Sequence, residues 1–424
     1  MTGEAPQAAR VRPEFIVSTG LAVMVLGPFG LGYFMSYLYR AVNAVVGPDL
    51  VRDLGLSASQ LGFLTASYLI AFAGFQLPLG VLLDRFGPRR VQTALIALTG
   101  LGALIFSLSH GLIGLSAGRA LIGMGCAGGL MGGFKAVVLW VRPERRALAN
   151  ACVMAAGGLG ILTATVPAEF AAREFGWRGL FLGLVILSLL AAALIFFAVP
   201  ERGVAKATPM SAQIGAVARI YADPVFWRLA PFVASTAGVG IGIQTLWAGP
   251  WLRDVAGLDR TTVAEYLAVM AIAFLVGTLL SGAVADWLGR RGISLLKVMT
   301  GFTLAFMGAQ LLIVLQWVPS VALVWIVFGM VGQAGILAYP WLAGYVGADL
   351  AGRASTALNL LVFTTASLSQ YLIGWIIDWW PLTASGGYDP AAYKVSFGVF
   401  LALQAACLAW YLLKPPTVGR RREG

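Results

Sequence analysis

The sequence predicts an all-α integral membrane protein in which twelve transmembrane helices form two related bundles of six. The composition is the first reason, because 59% of the 424 residues are hydrophobic and 11% are charged, whereas a soluble chain carries about 25% charged residues. The second is a series of twelve apolar runs, since a helix crosses a bilayer with about 20 such residues. The third is a pair of segments that recur 202 residues further along the chain, and such a repeat predicts two copies of one unit.

Short polar breaks separate the apolar runs, and the longest break divides them into six and six. We predict an N-terminal six-helix bundle over 1–199, a cytoplasmic linker over 200–227 and a C-terminal six-helix bundle over 228–424. Within the linker, Met210–Tyr221 fits either an interfacial helix or a flexible connection. The predicted spans, in order, cover residues 17–46, 59–82, 91–109, 112–140, 149–171, 177–199, 228–251, 262–285, 293–317, 319–345, 355–378 and 393–413.

The basic residues predict the orientation of the chain. Lysine and arginine number 29 against 18 aspartate and glutamate, which gives a net charge of +11. Basic residues mark cytoplasmic loops, and with the N-terminus inside most of them fall on cytoplasmic segments, including the tail Arg420–Arg422. The charge therefore indicates topology rather than nucleic-acid binding. It places both termini in the cytoplasm, and we expect a bacterial inner membrane protein without a cleaved signal peptide.

A polar turn between the second and third spans is repeated between the eighth and ninth. The first copy, Gly80–Arg90, has the order of glycine, aspartate, glycine and arginine that returns at 282–291. A Gly-Pro pair and a Gly-Leu pair, 47–48 and 55–56, return at 249–250 and 257–258. The charged residues of the two turns are Asp84, Arg85, Arg89, Arg90, Asp286, Arg290 and Arg291.

This double turn resembles the signature loop of the major facilitator superfamily, Gly-x-x-x-Asp-(Arg)-x-Gly-x-(Arg/Lys)-Arg. The resemblance covers essentially the whole chain, because both copies fall where that fold has them. It implies a gating role for the seven charged residues, as a cytoplasmic latch between the halves that favours the outward-open state. The alternative is that these charges only stop helices at the membrane surface.

Residue types argue against an enzyme and against a bound cofactor. The spans contain no cluster of histidine, aspartate and glutamate that could catalyse a reaction or bind a metal. Cys126, Cys152 and Cys407 all lie in apolar runs and suggest neither disulfides nor a metal site. We therefore expect no catalytic residues, no metal and no cofactor.

Three basic residues lie inside predicted spans at five or more residues from a span end: Arg40 in the first, and Arg119 and Lys135 in the fourth. Such a charge costs about 2.5–3.5 kcal/mol on insertion scales, so each suggests a function. Counted from the span ends, Arg40 and Arg119 both lie roughly 10 Å below the outer surface. Lys135 lies near the inner end, where its side chain could reach the surface. Because no acidic residue lies in mid-span to pair with them, we predict that Arg40 and Arg119 bind an anionic substrate.

The two arginines also resemble the pattern of the superfamily's anion:cation symporters. That branch has Asp-Arg-x-Asn on the first span and an acid below the fourth-span arginine. Here the first stretch is Tyr39-Arg40-Ala41-Val42-Asn43 and the fourth-span position is Cys126, so both acids are missing. A proton is the candidate coupling ion, but its coupling site in that branch is absent here.

Other polar and aromatic side chains could complete a cavity wall, since tyrosine and tryptophan combine an apolar body with a polar edge. For each of them, a hydrogen bond between helices is the simpler alternative. The candidates are Tyr33, Tyr37 and Tyr68 in the N-terminal half and Gln244, Trp247, Gln333, Tyr339, Asn359 and Gln370 in the C-terminal half.

The resulting hypothesis is a monomeric secondary transporter that moves a small organic anion, a carboxylate or sugar acid, by alternating access. Inorganic anions such as nitrate, and amphipathic drugs for efflux, are the alternatives. The fifth span lacks the Gly-Pro pair that drug:proton antiporters of the superfamily carry there, which counts against drug efflux. A receptor that binds ligand without transporting it is a further alternative, but the chain has no long cytoplasmic extension.

Overall fold

A computed structural model describes residues 19–200 and 210–413. The first two residues of the predicted first span, part of the linker and the tail Arg420–Arg422 lie outside the described residues. All regular elements in the described ranges are helical. The α-helices are Thr19–Ala41, Asn43–Leu54, Ala58–Leu108, Leu112–Cys126, Gly129–Trp140, Arg146–Thr163, Val166–Ala198, Met210–Tyr221, Pro224–Gly242, Ala248–Asp254, Arg260–Gly289, Leu295–Val314, Val321–Val331, Ala338–Val346, Ala348–Ile377 and Pro390–Leu413.

These helices make up the twelve predicted spans. Ten helical segments of the described residues are long and apolar enough to cross a membrane. One of them, Ala58–Leu108, has 51 residues and is interrupted at Gly87, so it contains the second and third spans. Thr19–Ala41, continued by Asn43–Leu54, supplies the first span. Val166–Ala198 is interrupted at Gly176, where the fifth span ends and the sixth begins. The linker segment Met210–Tyr221 is helical.

The repeat seen in the sequence returns in the backbone. Gly55 and Gly257, 202 residues apart, both adopt left-handed conformations, with φ of 63° and 68°. Glycine takes such angles without the steric cost that a side chain would add. Two residues later, Ser57 and Asp259 cap the N-termini of the second and eighth spans. The halves therefore enter equivalent spans through equivalent turns.

The two charged turns differ in detail. In the first, Gly87 has φ 78° and ψ 161° and precedes Pro88, which disfavours the helical conformation in the residue before it. In the second, no proline follows Gly289, so the helix runs through that residue and Gly292 takes the positive φ of 81° instead. The proline thus moves the break by three positions in the aligned repeat.

Five spans are irregular near their middles, where broken helices of transporters often line a cavity. The first span changes helix at Val42, the fourth at Ala127 and the fifth at Ala164 and Thr165. The seventh contains a π-helical turn, Ile243–Trp247, and the tenth a 3₁₀ turn, Ala334–Leu337. The π turn includes the repeat equivalent of Val42, so the first and seventh spans are irregular at matching positions.

Candidate functional site

A cavity of about 830 Å³ lies between the halves and is lined by residues from both. We call the end of the bundle with the two charged turns the turn end, and the other the opposite end. The lining includes Phe134, Ala151 and Ser355, which belong to the turn-end halves of the fourth, fifth and eleventh spans. The cavity therefore extends from the middle of the bundle towards the turn end.

Arg40 lies in the cavity wall as a charged group among aromatic rings. Its guanidinium carbon is 4.7 Å from the ring centroid of Tyr37, 4.9 Å from that of Phe72 and 5.1 Å from that of Phe363. The residue is 8% exposed, and its Nε has no hydrogen-bond partner. No carboxylate of the described residues pairs with it. The aromatic faces attract the cation, but they leave donors of the guanidinium for a ligand.

Arg119 does not line the cavity, although the sequence predicts it beside Arg40. It is 1% exposed, its Nη1 donates to the backbone oxygen of Tyr39 at 2.9 Å, and its guanidinium carbon lies 5.0 Å from the ring centroid of Tyr68. Tyr68 is also fully buried, and its hydroxyl donates to the Ser36 oxygen at 3.0 Å. Although Arg40 and Arg119 are predicted at similar depths, the side chain of Arg40 faces the cavity and that of Arg119 faces the interior of the N-terminal bundle.

The close approach of the second and fourth spans explains this burial. A Cβ on Gly123 would lie 2.1 Å from the backbone oxygen of Tyr68, so only glycine allows this contact. The fourth span therefore packs against the second with Arg119 and Tyr68 inside the N-terminal bundle. These residues connect helices, which is the simpler alternative considered for Tyr68.

In the C-terminal half, four predicted residues line the cavity: Gln244, Gln333, Tyr339 and Asn359. The Tyr339 hydroxyl donates to the side-chain oxygen of Asn359, so these two are already paired. Trp247 is fully buried, and its Nε1 donates to the Gln370 oxygen at 3.1 Å, so it joins two spans behind the cavity. Of the nine predicted substrate-binding residues, six line the cavity: Arg40, Tyr37, Gln244, Gln333, Tyr339 and Asn359. The other three, Arg119, Tyr68 and Trp247, do not line it.

The halves meet tightly at the opposite end, where the second and eleventh spans touch. A Cβ on Gly62 would lie 2.4 Å from the Gln370 oxygen, and one on Gly374 would lie 2.2 Å from the Ala58 oxygen. Asp378 accepts from the backbone N–H groups of Ala58 at 2.8 Å and Ser59 at 2.9 Å. An anion is favourable at this helix N-terminus, so Asp378 of one half caps a helix of the other.

A buried ionic cluster also joins the halves at the opposite end. Arg260 donates from both Nη atoms to the two carboxylate oxygens of Asp49, each at 2.9 Å. Its Nε lies 3.1 Å from Glu169, and the side chains of Asp49 and Glu169 are 6% and 4% exposed. Asp259, next to Arg260 in the chain, caps the N-terminus of the eighth-span helix. Hydrogen bonding to Thr262 lowers the pKa of the Asp259 carboxyl. Two carboxylates from one half thus share one arginine from the other.

The sequence does not single out this ionic cluster. Glu169 lies near the end of a predicted span, and Asp49 directly follows the repeated Gly-Pro pair at 47–48. Asp49 follows Pro48 in the helix Asn43–Leu54, which carries the first span beyond its predicted end at residue 46. The available signal for the cluster was therefore Asp49 itself, an acidic residue close to the predicted end of an apolar span.

At the turn end, the described contacts of the predicted gating residues lie within their own halves. Lys135 donates to Asp84 at 2.8 Å, Arg89 donates to the Phe196 oxygen at 2.6 Å, and Arg291 lies over the ring of Trp287. Lys135, whose role the sequence left open, therefore pairs with Asp84, the acid of the first turn copy. The closed end of the cavity is thus the opposite end.

Comparison with known proteins gives consistent matches. The family model described as Major Facilitator Superfamily matches residues 29–369. The chain is 26% identical to a probable sulfoacetate transporter, SauU, of Cupriavidus necator, over 63% of this chain and 66% of that protein. It is also 26% identical to a probable L-galactonate transporter of Escherichia coli, over 81% and 80%. A solved structure of a bacterial homologue of the human lysosomal transporter Spinster superposes with a TM-score of 0.75 at 20% identity, covering 93% of this chain and 97% of that one.

Proposed function

Because the chain belongs to the Major Facilitator Superfamily, we propose that it is a secondary transporter that moves a small organic anion, a carboxylate or sugar acid, by alternating access. One observation carries the anion assignment. Arg40 is a buried cation in the wall of a cavity between the halves, and no carboxylate of the described residues neutralises it. An ionised ligand that forms charge-assisted hydrogen bonds with this guanidinium would complete the site.

The substrates for which the two relatives are named support the same chemical class, since sulfoacetate and L-galactonate are organic acids. Nitrate remains the second candidate, because a single guanidinium also suits a small inorganic anion. Cationic drugs fit this site less well, because Arg40 would repel them.

A thermal-shift screen of the purified protein tests the assignment. We expect carboxylates or sugar acids to raise the unfolding temperature, since a ligand at 100 times its dissociation constant stabilises the folded state by about 2.7 kcal/mol. Nitrate, phosphate and cationic drugs complete the panel. Stabilisation by cationic drugs alone would contradict an anion transporter, and stabilisation by nitrate alone would favour the second candidate.

We also propose that the turn end faces the cytoplasm of a bacterial inner membrane, on the basis of the excess of basic residues there. The structure then represents the inward-open state. Single cysteines in the 84–90 and 286–291 turns, in a background without the natural cysteines, should resist an impermeant thiol reagent outside intact cells. They should react after the cells are permeabilised. Labelling of either turn before permeabilisation would reverse the orientation.

The charged turns are proposed to form a latch when the turn end closes. Asp84 and Lys135 are 32% and 29% exposed, and an ion pair of this kind contributes little. Asp84→Asn should therefore destabilise the outward-open state, in which the latch is formed, more than the inward-open state. The population should shift towards the inward-open state. Accessibility of cysteines on both sides measures the shift. If Lys135→Met has the same effect as Asp84→Asn, the pair inside the N-terminal half explains the result and the latch is wrong.

A further inference from the structure

The cavity is apolar along one part of its wall. Where the fourth, fifth and eighth spans meet, the lining includes Leu130, Met131, Phe134, Met154, Leu275 and Leu279. None of these six side chains carries a hydrogen-bond donor or a good acceptor. Thr278, the polar residue between them on the eighth span, donates its hydroxyl to the Phe274 oxygen at 2.8 Å. A hydroxyl group of a ligand held against this wall would lose its hydrogen bonds to water without replacement, which costs free energy.

Most polar side chains of the wall lie on the first, seventh, tenth and eleventh spans, and several are already paired within the protein. The Tyr339 hydroxyl is bound to Asn359, and the Thr245 hydroxyl accepts from Gln370 at 2.9 Å. Among the described lining residues, Gln244 and Gln333 make no side-chain hydrogen bond, and Tyr33, Ser36 and Tyr37 add hydroxyl groups from the first span. These groups belong to other spans than the apolar wall, so the hydroxyls of a ligand that covers that wall would find no partner among its six side chains.

The charge of the cavity limits the charge of the ligand. Arg40 is the one charged side chain among the described lining residues. It can compensate one negative charge, and a second carboxylate would remain unpaired in a site of low dielectric. The volume of about 830 Å³ lies within the range of drug-sized ligand sites, so it accommodates more than a two-carbon acid.

We propose that the substrate is an amphipathic monoanion, with one carboxylate or sulfonate group at Arg40 and an aliphatic or aromatic body against the apolar wall. The inference rests on the proposed anion transport and narrows its substrate class. It selects monocarboxylates with apolar bodies over polyhydroxylated sugar acids and over dianions.

Four acids with six carbons separate these properties: hexanoate, gluconate, adipate and glucarate. Their affinities for the purified protein are measured by titration at pH 7.5. The same titration of the Arg40→Gln variant measures how much acid enters the detergent micelles without binding at Arg40. We expect hexanoate to bind at least tenfold more tightly than each of the other three, and its binding to depend on Arg40. Across butanoate, hexanoate and octanoate, each added methylene should raise the affinity about fourfold.

A wall variant tests where the body of the ligand lies. Met131→Gln adds an amide to the apolar wall at similar volume and should lower the hexanoate-to-gluconate affinity ratio at least threefold. If gluconate or glucarate binds as tightly as hexanoate and depends on Arg40, the substrate class proposed here is wrong while anion transport stands. If no acid in either series depends on Arg40, the proposed function itself fails.

Discussion

Replacing Arg40 with glutamine is expected to weaken substrate-anion binding roughly ten- to hundredfold, because a hydrogen bond to a charged group contributes about 1.5–3 kcal/mol. The same change should leave thermal stability unchanged or higher. Arg40 is 8% exposed with an unpaired Nε and no carboxylate partner among the described residues, so its removal relieves a buried charge. Titration of affinity alongside the unfolding temperature, both in detergent, measures the two effects.

Arg119→Gln is the matched control, since it is the same substitution at a similar depth. This residue is tied to the Tyr39 oxygen and lies against Tyr68, so the variant should lose stability and keep its affinity within about threefold of the parent. Arg40→Lys should recover affinity only in part, because lysine keeps the charge without the planar fork. Reduced stability with unchanged affinity in Arg40→Gln would make Arg40 structural and remove the basis of the anion assignment.

Adding a side chain at Gly374 is expected to open the opposite end. In Gly374→Ala, the new Cβ would lie 2.2 Å from the Ala58 oxygen, so the second and eleventh spans cannot keep their present contact. The two states of a transporter differ by only a few kcal/mol, and losing this contact should therefore favour the state that is open at the opposite end. Arg260→Gln should act in the same direction, because the buried Glu169 loses its partner and Asp49 keeps only the exposed Arg52, 3.1 Å away in its own half.

A cysteine in place of Ala44, in the cavity wall, reports this opening. In a background without the natural cysteines, its reaction with an impermeant reagent added at the opposite end should be at least tenfold faster in Gly374→Ala and in Arg260→Gln. Gly301→Ala is the control, because a Cβ on Gly301 meets no atom within 4 Å. Equal rates in the parent and in both variants would mean that these contacts do not hold the opposite end closed.

The closed end is where sequence reasoning failed most clearly. Asp378, Arg260 and Glu169 all lie near predicted span ends, where a charged residue normally needs no explanation beyond the membrane surface. Their partners are more than 90 residues away in the chain, in the other half. A partner at such a distance in sequence follows only from how the two bundles are placed against each other.

The sequence by itself determined the twelve spans and the two-fold repeat. Apolar runs of about 20 residues have one stable solution in a bilayer, the helix. The Gly-Leu pair 55–56, which returns at 257–258, marked equivalent positions in both halves, and there Gly55 and Gly257 share a left-handed conformation. It also singled out Arg40 as a candidate, because a charge within a span has no partner in the lipid, and Arg40 does lie in the cavity wall.

Only the tertiary structure decided which side chains face the cavity. Arg40 and Arg119 have the same charge and similar depth, yet the rotation of each helix about its axis directs one into the cavity and the other behind Tyr68. That rotation depends on contacts such as Gly123 against the Tyr68 backbone. The state of the transporter is decided in the same way, since the contacts that close the opposite end exist only when Asp49 and Arg260, from different bundles, are brought together.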